Sequence, residues 1–244
     1  MILLIDAGNT RIKWRLLADA SAPAALDEGA LGHDGIDALG QLRTRHPGPL
    51  RVVGSNVAGT DVADRITAAL AVNAVEWLCP TQHACGVRNL YDIPGQLGAD
   101  RWAALIGAHH THAQACLVVT AGTATTADLL SADGDFLGGL ILPGVDLMQA
   151  SLARGTAQLP LAEGRFVPQP RCTVDAIRSG CLHAQAGAIE RMFRQIATER
   201  GALCLLGGGA ADSFAGLLDI PLRRIDNLVL CGLAVIAGLH SPNA

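Results

Sequence analysis

Aromatic side chains are scarce in this sequence, at 3% of 244 residues. A core with so few rings must come from smaller apolar residues. With 50% of the chain apolar and 28 glycines, it reads as Ala/Leu/Val-rich strands and helices joined by tight glycine turns, an α/β chain. No C-x-x-C pair occurs among the seven cysteines, at 79, 85, 116, 172, 181, 204 and 231. Their mostly apolar contexts suit buried thiols in a reducing compartment and argue against a structural zinc site. The run His109-His110-Thr111-His112 lacks acid or thiol neighbours at ligand spacing and reads as a polar helix end. Basic clusters are missing too: 18 Lys+Arg are scattered among 22 Asp+Glu, for a net charge of −4. That leaves no electrostatic footprint for nucleic acid or an anionic membrane, and a small-molecule partner is expected. The longest late apolar run, Leu228 to Leu239, falls short of the roughly 20 residues a membrane-spanning helix needs. The start, Met1-Ile2-Leu3-Leu4-Ile5-Asp6, has no basic segment and meets an acid early, unlike a signal peptide. The expectation is a cytoplasmic protein.

A chain of this length can bury one large core or two medium ones, and two are expected, over residues 1–113 and 114–244. Ile2 to Ile5 is a short apolar run ended by Asp6-Ala7-Gly8-Asn9-Thr10, a buried strand meeting a glycine turn. Beyond it Arg11 to Leu16 alternates polar and apolar, so a half-buried second strand closes a hairpin. Leu50 to Val53 reads as a strand, Asp61 to Leu70 as a helix, Tyr91 to Gln96 as loop, and Gly98 to Ala108 as a helix with Asp100 near its start. The opening pattern then returns: Cys116 to Thr123 repeats strand, Ala and Gly at an offset of 114 residues, which suggests two related halves. Thr126 to Leu130 reads as a strand, Ser131 to Asp135 as a turn, and Gly138 to Gly144 as a glycine-rich segment. A helix over 173–196, a strand over 203–206 opening onto Gly207-Gly208-Gly209, and a last helix over 227–239 complete the chain.

Three glycine loops that each follow an apolar strand would present backbone N–H groups to a polyanion with no Cβ in the way. None fits G-x-x-x-x-G-K-[ST] or G-x-G-x-x-G, so neither a Walker loop nor a dinucleotide fold is indicated. Asp6, ending a buried strand, can hold Mg²⁺ and its waters while Asn9, Thr10 and Lys13 face phosphate oxygens; alternatively it only caps the turn. Asp100 and Arg101 project from one segment, so the carboxylate can take a hydroxyl proton while the guanidinium clamps a substrate carboxylate. From spacing alone, a helix cap with a surface ion pair remains equally open.

Four segments in order, Asp6-Ala7-Gly8-Asn9-Thr10, Leu97-Gly98-Ala99-Asp100-Arg101-Trp102, Ala121-Gly122-Thr123-Ala124-Thr125-Thr126 and Thr156-Ala157-Gln158-Leu159-Pro160, resemble type III pantothenate kinase. The resemblance spans residues 1 to about 240. It implies an actin-like, ribonuclease H-like duplicated fold of two βββαβα-type halves around a nucleotide cleft. The implied enzyme is a homodimer with its site at the subunit interface, transferring the ATP γ-phosphoryl to the 4′-hydroxyl of pantothenate in the first step of coenzyme A synthesis. Asp100 would be the proton acceptor. Asp6, Ala7, Gly8, Asn9, Thr10, Arg11, Ile12 and Lys13 would form the first ATP segment, with Mg²⁺ near Asp6, and Thr123 would touch ATP from the second. Tyr91, Gly98, Ala99, Asp100 and Arg101 would line the pantothenate pocket, Thr173 would reach substrate from the partner subunit, and Gly207 to Gly209 would face adenosine.

One departure from the family pattern concerns the monovalent cation. The family's second phosphate motif usually opens with an aspartate that holds K⁺ or NH₄⁺, and this chain has Thr120. A weaker or absent potassium dependence is therefore expected. Two rival readings are a sugar or small-alcohol kinase on the same fold, which would need a polar sugar pocket in place of Tyr91 and Arg101, and a catalytically idle nucleotide-binding regulator. Retention of Asp6 and Asp100 argues against the second.

Overall fold

The computed structural model describes residues 1–18, 24–161 and 163–238. Contacts divide the chain into two compact units. The first holds Met1–Ala113, Gly134–Phe136 and the described residues from Asn227 onward; the second holds Gln114–Asp133 and Leu137–Asp226.

In the first unit, β1 (Ile2–Ala7), β2 (Arg11–Leu17), β3 (Ala25–Gly32), β4 (Arg51–Asn56) and β5 (Glu76–Trp77) form one sheet in the order β3-β2-β1-β4-β5. β1 pairs antiparallel with β2 and parallel with β4. The alternation in Arg11 to Leu16 has its expected result, since Ile12, Trp14 and Leu16 are buried between more exposed polar neighbours. Leu3, Ile5, Ile12, Trp14 and Leu16 pack on one face with Ile36 and Leu39 of the 3-10 helix His33–Leu39, Leu42 of α1 (Gly40–Arg45), and Val62, Ile66 and Leu70 of α2 (Thr60–Leu70). The short hairpin of β6 (His83–Ala84) and β7 (Val87–Asn89) leads to α3 (Ala99–Thr111).

The second unit repeats this plan. β8 (Cys116–Ala121) pairs antiparallel with β9 (Ala124–Leu130) and parallel with β11 (Leu203–Gly207), β10 (Asp135–Pro143) flanks β9, and β12 (Leu222–Arg224) flanks β11. The order β10-β9-β8-β11-β12 matches that of the first sheet, within a seven-stranded sheet that continues from β10 through β7 and β6. Duplication read from one repeated turn thus extends to five strands of each sheet, consistent with the actin-like, mixed α/β architecture expected. α4 (Val145–Gly155) and α5 (Thr173–Phe193) belong to this unit; Leu182, Ile189, Met192 and Phe193 of α5 pack on Leu117, Val119, Ala127 and Leu129.

Two features differ from the sequence expectations, the place of the last helix and the exposure of several cysteines. α6 (Leu228–Ile236), which follows the second-half strands in the chain, packs in the first unit against α3. Two glycines permit that backbone-to-backbone contact: a Cβ on Gly232 would strike the Ala103 carbonyl, and one on Gly107 would lie 2.5 Å from the Leu228 oxygen. The expected last residue of this helix, Leu239, lies outside the described residues. The glycine-rich segment Gly138 to Gly144 lies mostly in β10. Of the cysteines, Cys116, Cys181 and Cys204 are buried, but Cys79, Cys85 and Cys172 are exposed, in connecting segments where no sheet covers them. Among the described residues no cluster of three or more His, Cys, Asp or Glu could hold a metal ion, and no helix is long and apolar enough to cross a membrane.

Candidate active site

The first glycine turn closes where the Gly8 amide donates to the Arg11 carbonyl at 3.1 Å, and a Cβ on Gly8 would crowd that same oxygen at 3.3 Å. His33 Nε2 lies 2.9 Å from the Gly8 carbonyl on the other side. Asn9, Thr10 and Arg11 are exposed along the turn, open to a ligand. Ala7 and Ile12 are wholly buried in the core, so from those two positions only the main chain can meet a phosphate.

Strand register places three polar residues in one row. Asp6 is paired with Lys13 on β2 and with Ser55 on β4, so all three side chains leave the same face of the sheet. Burial pushes the Asp6 carboxyl from 3.8 up to about 7; the Lys13 ammonium works in the opposite direction, and the Asp100 carboxylate adds to the rise. Asp100 is therefore close enough for its charge to act on Asp6, although 94 residues separate them in the chain. The donor set fits a magnesium ion: one carboxylate at a strand end, short of compensating positive charge, with room left for phosphate and water oxygens. Ser55 was not singled out by sequence. It is fully buried, and its Oγ finds no hydrogen-bond partner among the described residues.

Asp100 is the second residue of α3, whose N-cap is Gly98, without a side-chain cap bond. Its Oδ1 accepts from the Arg101 amide at 2.8 Å, and a Cβ on Gly98 would stand 2.6 Å from that oxygen. Glycine at 98 thus leaves room for the carboxylate, which sits half-buried in the first turn rather than at the capping position. Negative charge is also favoured there by the helix N-terminus. Arg101 is 5% exposed and donates through Nη1 to the Tyr91 hydroxyl at 3.0 Å. Tyr91, Gly98, Ala99, Asp100 and Arg101, scattered over a loop and a helix start, are brought together as expected. Two further residues join them without any local sequence signal: Phe136, whose ring centroid lies 5.1 Å from that of Tyr91, and Asn89, whose Oδ1 accepts from the Tyr91 amide at 3.1 Å.

In the second unit, Thr120 occupies the position that Asp6 holds in the first. It is paired with Thr126 on β9 and Gly207 on β11, so the row is neutral. Three glycine loops converge beside it. The Gly144 amide donates to the Thr123 carbonyl at 2.8 Å, and the Ala210 amide to the Ala121 carbonyl at 3.1 Å. A Cβ on Gly144 would strike the Gly122 oxygen, and one on Gly208, at φ +95°, would strike that of Ala121. Thr173 begins α5 and lines an apolar groove of about 590 Å³ between α4 and α5, shared with Met148, Leu152, Leu159, Ile177 and Cys181. The two later sequence segments, around Leu159 and Thr173, therefore meet at one groove.

Comparison with known proteins places these features in context. The family model described as type III pantothenate kinase matches residues 2–195. A type III pantothenate kinase of Aromatoleum aromaticum is 62% identical over 239 residues, covering 97% of this chain and 98% of that protein. One from Azoarcus sp. (strain BH72) is 54% identical over 246 residues, covering 100% of this chain and 93% of its own length. Among solved structures, a Campylobacter jejuni protein described as belonging to the Baf family of transcriptional activators has a TM-score of 0.63 at 20% identity, with 97% of each chain covered. The activator of 2-hydroxyisocaproyl-CoA dehydratase from Clostridium difficile, with bound ADPNP, has a TM-score of 0.53 at 12% identity, covering 98% of this chain and 93% of that one.

Proposed function

The chain belongs to the type III pantothenate kinase family, and from that premise we propose that it moves the γ-phosphoryl group of ATP to the 4′-hydroxyl of pantothenate, the first step of coenzyme A synthesis, with Asp100 as proton acceptor. The observation that carries the residue assignment is the strand register that sets Lys13 beside Asp6, with the charges of Lys13 and Asp100 both acting on the Asp6 carboxyl. Phosphoryl transfer demands mainly positioning and neutralisation of charge, with a base needed only late, because an alcohol loses its proton as the new O–P bond forms. Bound Mg²⁺–ATP supplies the phosphoryl donor and part of that neutralisation. Asp6 would hold the magnesium shell, Lys13 and the exposed turn Asn9 to Arg11 would face the phosphates, and Thr123 would touch the nucleotide. Asp100 receives the 4′-hydroxyl proton. Arg101 takes the pantothenate carboxylate, and Tyr91 borders the same pocket.

The finer assignments follow the same reading. Thr120 offers a monovalent cation a neutral hydroxyl where its equivalent in the first sheet is a carboxylate, so potassium or ammonium is at most a weak activator. The protein acts as a homodimer in which Thr173 of one subunit reaches the pantothenate of the other, supported by an apolar groove that carries Thr173 at its edge. Free thiols throughout suit the reducing cytoplasm, where ATP is abundant. An idle nucleotide-binding regulator would have no use for a second carboxylate held against Asp6. In a coupled assay with ATP and pantothenate, Asp100→Asn is expected to cut turnover by roughly 10²–10⁴-fold while ATP binding stays close to native. Near-native kcat in that variant would remove Asp100 from the role.

A further inference from the structure

Arg101 is buried, and a buried guanidinium must be oriented by its neighbours if it is to receive a ligand at a fixed angle. Two aromatic rings do this. The guanidinium carbon lies 5.6 Å from the Tyr91 ring centroid and 5.7 Å from that of Phe136, and the rings contact each other at an interplanar angle of 40°. Ring faces attract a guanidinium through their quadrupole and constrain its plane.

Phe136 reaches this place by a specific route. It stands at the start of β10, wholly buried, and is one of three residues, Gly134 to Phe136, that join the first unit from the middle of the second-unit sequence. Gly134, at φ +84°, passes so close to Gly86 that a Cβ would strike the Gly86 carbonyl. Asp135 then accepts from Arg88 Nε at 2.8 Å and Nη2 at 2.6 Å, and the Arg88 amide donates to the Gly134 carbonyl at 2.9 Å. This clamp sets the register Asp135↔Arg88 and Phe136↔Asn89. Asn89, 1% exposed, in turn accepts from the Tyr91 amide and donates to the Pro94 carbonyl at 3.1 Å. One strand pair thus holds both rings on which Arg101 lies.

We propose that Phe136 is a positioning residue for substrate recognition: its ring face sets the plane of the Arg101 guanidinium, and through it the affinity for the substrate's carboxylate. The inference rests on the reading that Arg101 takes that carboxylate. Replacement by an aliphatic side chain fills much of the space and removes the quadrupole. Phe136→Leu is expected to raise the KM for pantothenate by about 5–20-fold, with kcat changed less than about threefold. The inhibition constant of pantothenyl alcohol, in which a hydroxymethyl group replaces the carboxylate, is expected to stay within about twofold, because no anion meets Arg101. If Phe136→Leu does not fold, Phe136→Met carries the same measurement, since its unbranched chain adapts to irregular space without a ring face. Equal weakening of the acid and the alcohol, or weakening of neither, overturns the proposal. Arg101→Lys separates the layers. If it leaves the preference for acid over alcohol at the native value, the carboxylate assignment itself is wrong. If it abolishes the preference while the Phe136 variants keep it, only the positioning role is wrong.

Discussion

Asp6 offers a measurement that needs no substrate. Its carboxyl is raised from 3.8 to about 7 by burial, helped by Asp100 and opposed by Lys13. A carboxyl whose folded value lies above its unfolded one binds its proton more tightly in the folded protein. Its contribution is therefore most favourable at acid pH and is lost as pH rises from about 4 through 7. At about 1.4 kcal/mol per unit, ionised Asp6 costs the nucleotide-free protein on the order of 4 kcal/mol above pH 7. Asp6→Asn keeps the shape and removes the titration. Urea unfolding of both proteins without nucleotide, taken as a difference at each pH, reports the loss of this one titrating group. The stability difference in favour of the Asn variant is expected to grow by about 3 kcal/mol between pH 5 and pH 8, most of it below pH 7. The same variant is expected to lose activity, since the cost of Asp6 is the counterpart of its use as a cation site. A pH-independent difference, or a native protein more stable than the variant at pH 8, would refute the electrostatic argument.

Two further outcomes concern the second unit. Activity titrated with KCl at constant ionic strength is expected to vary by less than about twofold, and Thr120→Asp to introduce a dependence by supplying the charge that a bound cation needs. A sharp potassium requirement in the native protein would refute this. For the shared site, co-refolded Asp100→Asn and Thr173→Arg chains are expected to recover about a quarter of native activity, because half the dimers are mixed and each of those has one intact site. No recovery above the two parents alone would place both residues in one subunit's site.

The hairpins, their glycine turns and the helix after Gly98 were legible because each rests on a local signal: alternation in Arg11 to Leu16, a glycine after an apolar run, helical spacing of Trp102, Leu105 and Ile106. The gathering of Tyr91 with Arg101 could be anticipated from family motifs, and the structure joins them by a direct hydrogen bond. Phe136 and Ser55 escaped notice for a common reason. Each gains its place from pairing with a strand distant in sequence, Phe136 opposite Asn89 and Ser55 opposite Asp6. Neither carries a motif of its own. α6 is similar: its apolar run predicts a buried helix but not which core receives it, and that choice depends on Gly107 and Gly232 matching across α3. The exposed cysteines show the converse limit, since an apolar neighbour in sequence does not place a thiol under a sheet.

The two sheets share one strand order, yet corresponding positions carry opposite chemistry, and this asymmetry bears on where the reaction is driven. In the first sheet the row is Lys13, Asp6 and Ser55; in the second it is Thr126, Thr120 and Gly207. A carboxylate at 120 would add a second titrating group and would need its own cation to offset it. With threonine at 120, the second row offers only neutral hydroxyls, which lose nothing to titration near neutral pH, and the amides of Gly122, Gly144 and Ala210 beside it donate to main-chain carbonyls. Of the two rows, only the first carries titratable charge, and there Lys13 and Asp100 both act on Asp6. The pH dependence of metal–nucleotide binding should accordingly include an Asp6 component that Asp6→Asn removes, tightening as pH rises through about 7 because the proton must leave before the cation can bind.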